Sequence, residues 1–234
     1  MAVLIDARSL VKVYGAVAGA RVRALDDVSV TVQEGEFVGI AGPSGSGKAT
    51  LLHILGCLDR PTSGSYVLAG HDVATLPDRP LSRVRASTVG FIFQSFNLLP
   101  RLSVVENIAL PLAYQGIGSR ERKRRATKLA ERLGLGDRLS HRPTQLSGGQ
   151  AQRVAIARAL APSPRAVFAD EPTGNLDSKT AAEILALLLE LHEGGLTIIL
   201  VSHDEHVAQA TERVLHMIDG RLAAIGDGSG RPGA

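Results

Sequence analysis

The residues from Gly42 to Thr50, "GPSGSGKAT", combine glycines, hydroxyls and a lysine at a spacing suited to holding phosphate. Gly42, Gly45 and Gly47 let the backbone wrap tightly, with its amides turned toward phosphate oxygens. Lys48 follows as a point charge for the β and γ phosphates, and the helix starting there adds the positive end of its dipole. Such a loop ordinarily follows its lysine with Ser or Thr, whose oxygen ligates the nucleotide's magnesium. Here the position is Ala49, which has no oxygen, and Thr50 comes one residue too late to replace it. Mg2+ takes six oxygens and readily keeps waters, so a water can fill the gap. By analogy with the loss of outer-shell partners, the expected cost is about 10–100-fold in metal affinity, with slowed but real hydrolysis.

A phosphate loop needs acids at the end of a neighbouring strand, and "AVFADE" supplies them. Asp170 is expected to hold magnesium and Glu171 to take a proton from an attacking water. Gln94 ends the apolar run "VGFIF" and His203 ends "LTIILVSH". Ligands of open α/β sheets collect beyond the carboxyl ends of the strands, so both side chains can reach the γ phosphate or its water. "LSGGQ", Leu146–Gln150, precedes a helical run, and exposed amides at Ser147, Gly148 and Gly149 would make a second anion site. One nucleotide can use both surfaces if the second comes from another copy of the chain, which points to a two-fold pair with nucleotide between the copies.

The elements that must carry these groups alternate. "EFVGIAG" (Glu36–Gly42), "VGFIF" (Val89–Phe93), "RAVFAD" (Arg165–Asp170) and "LTIILVSH" (Leu196–His203) are apolar on both faces, as central parallel strands are. Ile184, Leu187, Leu188 and Leu191 make one helical stripe between the third and fourth, with Asp177 or Ser178 to cap its start and Gly194–Gly195 to end it. From Ser95 to Pro143 the chain is rich in Arg and Leu and holds no strand pattern, which predicts a helical lobe inserted into the sheet domain. Within it Ala126, Leu129, Ala130 and Leu133 form an apolar stripe. Arg122, Lys123, Arg124, Arg125 and Lys128 crowd the other faces, as on a solvated helix. After Asp219 the chain turns Gly-rich, which predicts a disordered tail at its end.

Composition narrows the function classes. The 234 residues are 44% hydrophobic, enough to bury a sizeable core. Aromatic residues are 3%, with no Trp, which argues against a stacking platform for single-stranded nucleic acid, and a net charge of +3 does not by itself call for a nucleic-acid partner. A single cysteine, Cys57, permits no internal disulfide and fits a reducing compartment. No apolar run reaches the roughly 18 residues that cross a bilayer, and the start lacks a signal-peptide pattern, so work at a membrane would need a partner.

Together these motifs resemble the nucleotide-binding subunit of an ABC (ATP-binding cassette) transporter, over about Leu4 to Leu222. "GPSGSGKAT" is similar to the family's Walker A loop, "AVFADE" to its Walker B strand and "LSGGQ" to its signature. Gln94 matches the Q-loop, His203 the switch histidine and Asn175–Asp177 the D-loop. The resemblance implies an α/β P-loop NTPase of RecA-like core with a parallel sheet, a small antiparallel β subdomain and an inserted α-helical subdomain. The cassette would span 1–226, with the helical part at roughly 95–160 and 227–234 as the disordered tail. It implies ATP and Mg2+ as ligands, with Tyr14 stacking on adenine. Phosphate contacts would run over Gly42, Ser44, Gly45, Ser46, Gly47, Lys48, Ala49 and Thr50, and across the interface over Ser147, Gly148, Gly149 and Gln150. Gln94 and Asp170 would hold the metal, and Glu171, His203 and Gln94 would serve catalysis.

"ILGCLDRPTSG", "GFIFQSFNLLPRLSVVENIALPL" and "DEPTGNLD" are similar to the subgroup serving lipoprotein release and macrolide or peptide efflux. By that resemblance the partners are a second copy, in an ATP-dependent head-to-tail dimer, and an integral membrane permease of the FtsX/MacB type gripped by the helical lobe, with no nucleic acid. The chain would sit in the cytoplasm, peripheral on the inner face of the cell membrane through its permease. It would energise export or extraction of a lipophilic, peptide or drug-like substrate. The alternative is a nucleotide-dependent regulatory clamp on a membrane partner, its hydrolysis impaired by Ala49.

Overall fold

A computed structural model describes residues 2–15, 21–203 and 210–227. Two sheets share the chain. The first is antiparallel, in the order β2-β1-β4-β5, from β1 (Val3–Gly15), β2 (Arg21–Gln33), β4 (Ser63–Leu68) and the short β5 (His71–Asp72). Its long strands exist because apolar residues alternate. Val28, Val30 and Val32 point inward from β2 and meet Leu4, Ile5, Ala7 and Leu10 of β1. Several register shifts between β1 and β2 mark bulges that bend this ribbon over the second sheet.

The second sheet has six strands in the order β10-β9-β3-β8-β7-β6. They are β3 (Phe37–Ala41), β6 (Val89–Phe93), β7 (Ala166–Asp170), β8 (Thr197–Val201), β9 (Arg213–Ile218) and β10 (Arg221–Asp227). The four apolar runs expected to form central strands are β3, β6, β7 and β8. β9 lies parallel to β3 beside them. "SH" at 202–203 bends away after β8 rather than extending it. Ahead of the predicted tail, Arg221–Asp227 is a strand antiparallel to β9, which sequence periodicity did not single out. Asp219 and Gly220 both take positive φ, 49° and 78°, and form the two-residue hairpin turn that Asp-Gly favours. Residues 228–234, the end of the predicted tail, lie outside the described residues.

Helices cover the six-stranded sheet on both faces. α1 (Lys48–Leu55) and α2 (Asp78–Thr88) belong with the core that also lies under the antiparallel sheet, where Leu51, Leu52, Ile54 and Leu55 are buried. α3 (Val104–Tyr114), α4 (Ser119–Arg132), α5 (Gly148–Leu160) and α6 (Ser178–Glu193) belong with the opposite core, with 3-10 turns at Gly136–Arg138 and Pro143–Gln145 between α4 and α5. On α6 the buried residues are Ile184 and Leu188, with Leu187 and Leu191 half-buried beside them, and the Asp177 carboxylate caps the start by accepting from the Thr180 amide. On α4, Ala126 and Ala130 are buried. Of its basic residues, Arg124 and Arg125 pair with Glu121, which holds that carboxyl down at about 2. No helix among the described residues is long and apolar enough to cross a membrane.

β6 lies close against the end of α5 because Gly90 has no side chain. A Cβ there would stand 2.5 Å from the Ala159 carbonyl oxygen, a backbone atom that cannot rotate away. Gly90→Ala is therefore expected to destabilise the fold by about 1–3 kcal/mol through overpacking, read as a lowered urea midpoint at unchanged slope.

Candidate functional site

The strand order gathers the sequence-predicted groups on one edge. β3, β8, β7 and β6 are consecutive neighbours, and their carboxyl ends lead into the 42–47 loop, His203, Asp170–Glu171 and Gln94 respectively. The loop's shape is dictated by its surroundings. Gly42 takes φ 147°, and a Cβ on it would meet the Met217 carbonyl oxygen at 2.2 Å. Gly47 takes φ 100°, and a Cβ there would meet the Ala24 carbonyl oxygen at 2.4 Å. Glycine is needed at both for conformation and for space. Ser44 and Gly45 are exposed on the loop's outer turn, while the Ser46 hydroxyl is buried without a hydrogen-bond partner. A buried orphan hydroxyl is costly unless something at the site accepts from it. The Lys48 ammonium donates to the carbonyls of Gly42 and Pro43, at 2.7 and 2.8 Å, at the mouth of this cradle. Ala49 is exposed and Thr50 half-buried on the first turn of α1.

Opposite the cradle, Asp170 ends β7. Burial raises its pKa above the ordinary carboxylate range. His53 pulls it back, Glu171 pushes it up again and Lys48 lowers it. Glu171 sits at φ 46°, a left-handed conformation that costs a non-glycine residue on the order of 1–3 kcal/mol, while its amide still donates to the Val201 carbonyl at 3.0 Å. That turn aims its carboxylate at His203, whose Nδ1 stands 2.8 Å from Glu171 Oε2, with side-chain exposures of 71% for His203 and 17% for Glu171. Gln94 is clasped by the turn after β7. Its Nε2 donates to Asn175 Oδ1 at 3.2 Å, and Asn175 Nδ2 donates to the Gln94 carbonyl at 3.1 Å.

Tyr14 stands at the end of β1, 40% exposed. Its hydroxyl donates to Asp59 at 2.8 Å, and the Lys12 ammonium lies 4.7 Å from the ring centroid while also bonding Asp59 at 2.7 Å. Sequence reasoning missed Asp59. Its contact with Lys12, 47 residues away, comes from the pairing of β1 with the turn before β4.

Ser147 is the N-cap of α5. Its Oγ accepts from the Gln150 amide at 3.3 Å, and Gln150 Oε1 accepts from the Ser147 amide at 3.0 Å. This capping box uses both side chains, and the amides of Gly148 and Gly149 stay at the helix start. A Cβ on Gly149 would meet Thr180 at 2.5 Å, so the signature packs on the start of α6. Among the described residues no hydrogen bond joins 147–150 to the 42–48 loop of the same chain. Gln152, which sequence reasoning also missed, is fully buried one step further on and donates to the Pro172 carbonyl, tying α5 to the turn that carries Glu171.

A strand-end cradle with a lysine, a desolvated carboxylate and a hydrogen-bonded Glu–His pair is fit to bind a nucleoside triphosphate and deprotonate a water beside it. The comparisons agree with that chemistry. A family model described as "ABC transporter" matches residues 25–174. An uncharacterised ABC transporter ATP-binding protein of Thermotoga maritima is 57% identical over 205 residues, 88% of each chain. A macrolide export ATP-binding/permease protein MacB of Rhodospirillum rubrum is 54% identical over 211 residues, 90% of this chain and 32% of the relative, so the chain spans about a third of that protein's length. Among solved structures, the ATP-binding cassette MJ0796, dimeric in a post-hydrolysis state with ADP and Pi, matches with a TM-score of 0.88 at 41% identity, over 97% of this chain and 100% of that one.

Proposed function

The chain belongs to the ABC transporter family as an ATP-binding ATPase cassette, and from that premise we propose that two copies close head-to-tail on two ATP molecules and drive a permease of the FtsX/MacB type. The observation behind this reading is the separation of the two anion-binding surfaces. The cradle of Lys48 and the capped start of α5 each leave backbone amides at a helix start, yet among the described residues no hydrogen bond joins them within one copy. A second copy in two-fold relation supplies Ser147, Gly148 and Gly149 to the γ phosphate held by Lys48.

In the closed pair the 42–47 amides and Lys48 hold the β and γ phosphates and the ring of Tyr14 lies on the adenine. Asp170 and Gln94 would hold a divalent ion, which would supply positive charge to offset that of the phosphates. The desolvated Asp170 at the end of β7, beside Lys48, fits that occupancy. Glu171 takes the proton of a water whose oxygen bonds the γ phosphorus as its bond to the bridging oxygen breaks, giving ADP and phosphate. His203 holds Glu171 in place. Loss of the γ phosphate removes the bridge between copies and lets them part.

The permease reads that cycle through the 94–97 turn. Arg158, half-buried and with its pKa lowered by that desolvation, donates to the carbonyls of Phe96 and Asn97. Arg158 and Asn97 form one wall of a groove of about 640 Å³ lined also by Arg85, Phe93, Pro111 and the largely exposed Tyr114. A short cytoplasmic helix of the permease fits there, one step from Gln94. The relative named for macrolide export supports an export or extraction role for lipophilic, peptide or drug-like cargo, with the cassette on the cytoplasmic face of the membrane.

Mixed pairs of Ser44→Cys and Ser147→Cys chains test the shared site. With ATP the two cysteines should crosslink between copies, and without it they should not. ATP-loaded chains that never crosslink would overturn the head-to-tail arrangement.

A further inference from the structure

We propose that the divalent ion accompanying the nucleotide is held here by Asp170 together with the imidazole of His53, which takes the place of the oxygen that Ala49 lacks. The proposal rests on the nucleotide reading above and goes beyond it, because it assigns a nitrogen donor where the loop motif calls for a hydroxyl.

Ala49 and His53 lie four apart on α1 and therefore on one face. Side chains on a helix lean toward its N-terminus, so a ring at 53 covers the turn that carries 49. A methyl group at 49 leaves the space next to the phosphate loop open to that ring. His53 Nε2 stands 3.9 Å from Asp170 Oδ2. That is too long for a hydrogen bond, and an octahedral ion with the two as adjacent ligands at about 2.1 Å needs them about 3 Å apart, so the ring closes by about 1 Å when the ion binds. The ring is backed by Phe91, its centroid 6.5 Å away at a tilt of 58°, which limits how far it can swing. Side-chain exposures of 36% for His53 and 25% for Asp170 leave the gap open to water and to phosphate oxygens.

Asp170 and His53, even with the side-chain oxygen of Gln94, do not make a free-standing metal site, and no cluster of three or more His, Cys, Asp or Glu side chains with that geometry exists among the described residues. The ion must therefore arrive with the nucleotide, whose β and γ oxygens and bound waters complete its coordination. An imidazole nitrogen in the set changes which ion binds best. Mg2+ prefers oxygen donors throughout, whereas affinity of a mixed nitrogen–oxygen site rises through the first-row ions from Mn2+ to Co2+. The chain should accordingly hold Mn2+·ATP more tightly than Mg2+·ATP, and His53 should be the cause.

The full-length chain labelled with 15N only in histidine is loaded with Mn2+ and ATP and examined by pulsed electron paramagnetic resonance. A histidine 15N coupling to Mn2+ is expected. It should persist in His203→Ala, vanish in His53→Gln, and weaken in Ala49→Ser, where a hydroxyl competes for the ion. In parallel, the Mn2+ concentration that half-saturates nucleotide binding should rise about 10-fold or more in His53→Gln, with a smaller change for Mg2+. Bound Mn2+·ATP with no histidine coupling, or coupling that survives His53→Gln, would overturn the His53 assignment and leave the ATPase reading intact. A chain that binds neither Mn2+·ATP nor a fluorescent ATP analogue would overturn both.

Discussion

Glu171→Gln is expected to lower ATP turnover by about 10²–10⁴-fold, the range a positioned general base contributes, while leaving ATP binding in place. The amide is the size and shape of the carboxylate and keeps a hydrogen bond to His203, which lies 2.8 Å away in the native chain. It cannot accept a proton from water. The φ of 46° at this residue stays imposed by the Val201 carbonyl, so the side chain keeps its direction. Binding without hydrolysis leaves both γ phosphates between the copies, and the variant should elute as a dimer with ATP and as a monomer without it. Phosphate release and size-exclusion chromatography read the two effects separately. An ATP-loaded variant that elutes only as a monomer, in both the Ala49 and the Ala49→Ser backgrounds, would count against a site shared between copies.

Ala49→Ser is the change expected to work in the opposite direction. A hydroxyl on the first turn of α1 returns an oxygen ligand beside Asp170, and the Mg2+ concentration that half-saturates turnover should fall by about 10–100-fold. Thr50 cannot have been supplying that oxygen. Successive helical residues point about 100° apart, and Thr50 is half-buried where Ala49 is exposed. At saturating Mg2+ the two proteins should differ much less, because the base, the lysine and the loop amides are the same in both. A native chain without turnover at high Mg2+, restored by Ala49→Ser, would show that the missing oxygen abolishes hydrolysis rather than slowing it.

Much of the chemistry was legible in the one-dimensional chain because it is local. Three glycines and a lysine within seven residues specify a phosphate cradle through their own backbone freedom and charge, and the 3.6-residue spacing of Ile184, Leu187, Leu188 and Leu191 specifies a helix. Paired acids ending an apolar run, and the amides of Ser147, Gly148 and Gly149 at the start of a helical run, are likewise readable within a few residues of themselves. The antiparallel sheet was not legible from periodicity. It entered only through family resemblance, since the bulges of β1 and β2 break the alternation of apolar residues that marks a strand. β10 was masked by a Gly-rich composition, although Asp219–Gly220 carried the hairpin signal.

What tertiary structure alone decided is which distant residues touch. His203 meets Glu171 because β8 lies beside β7, and Gln94 meets Asn175 because β6 lies on the other side of β7. Gly42 is obligatory because the carbonyl of Met217, 175 residues later, occupies the place of its Cβ. His53 faces Asp170 because α1 crosses the sheet to reach β7. None of these contacts lies within one helical turn or one strand, and local pattern carries no information about strand order. Local residue pattern carries the kinds of chemistry present, and the order β3-β8-β7-β6 sets which groups perform it together.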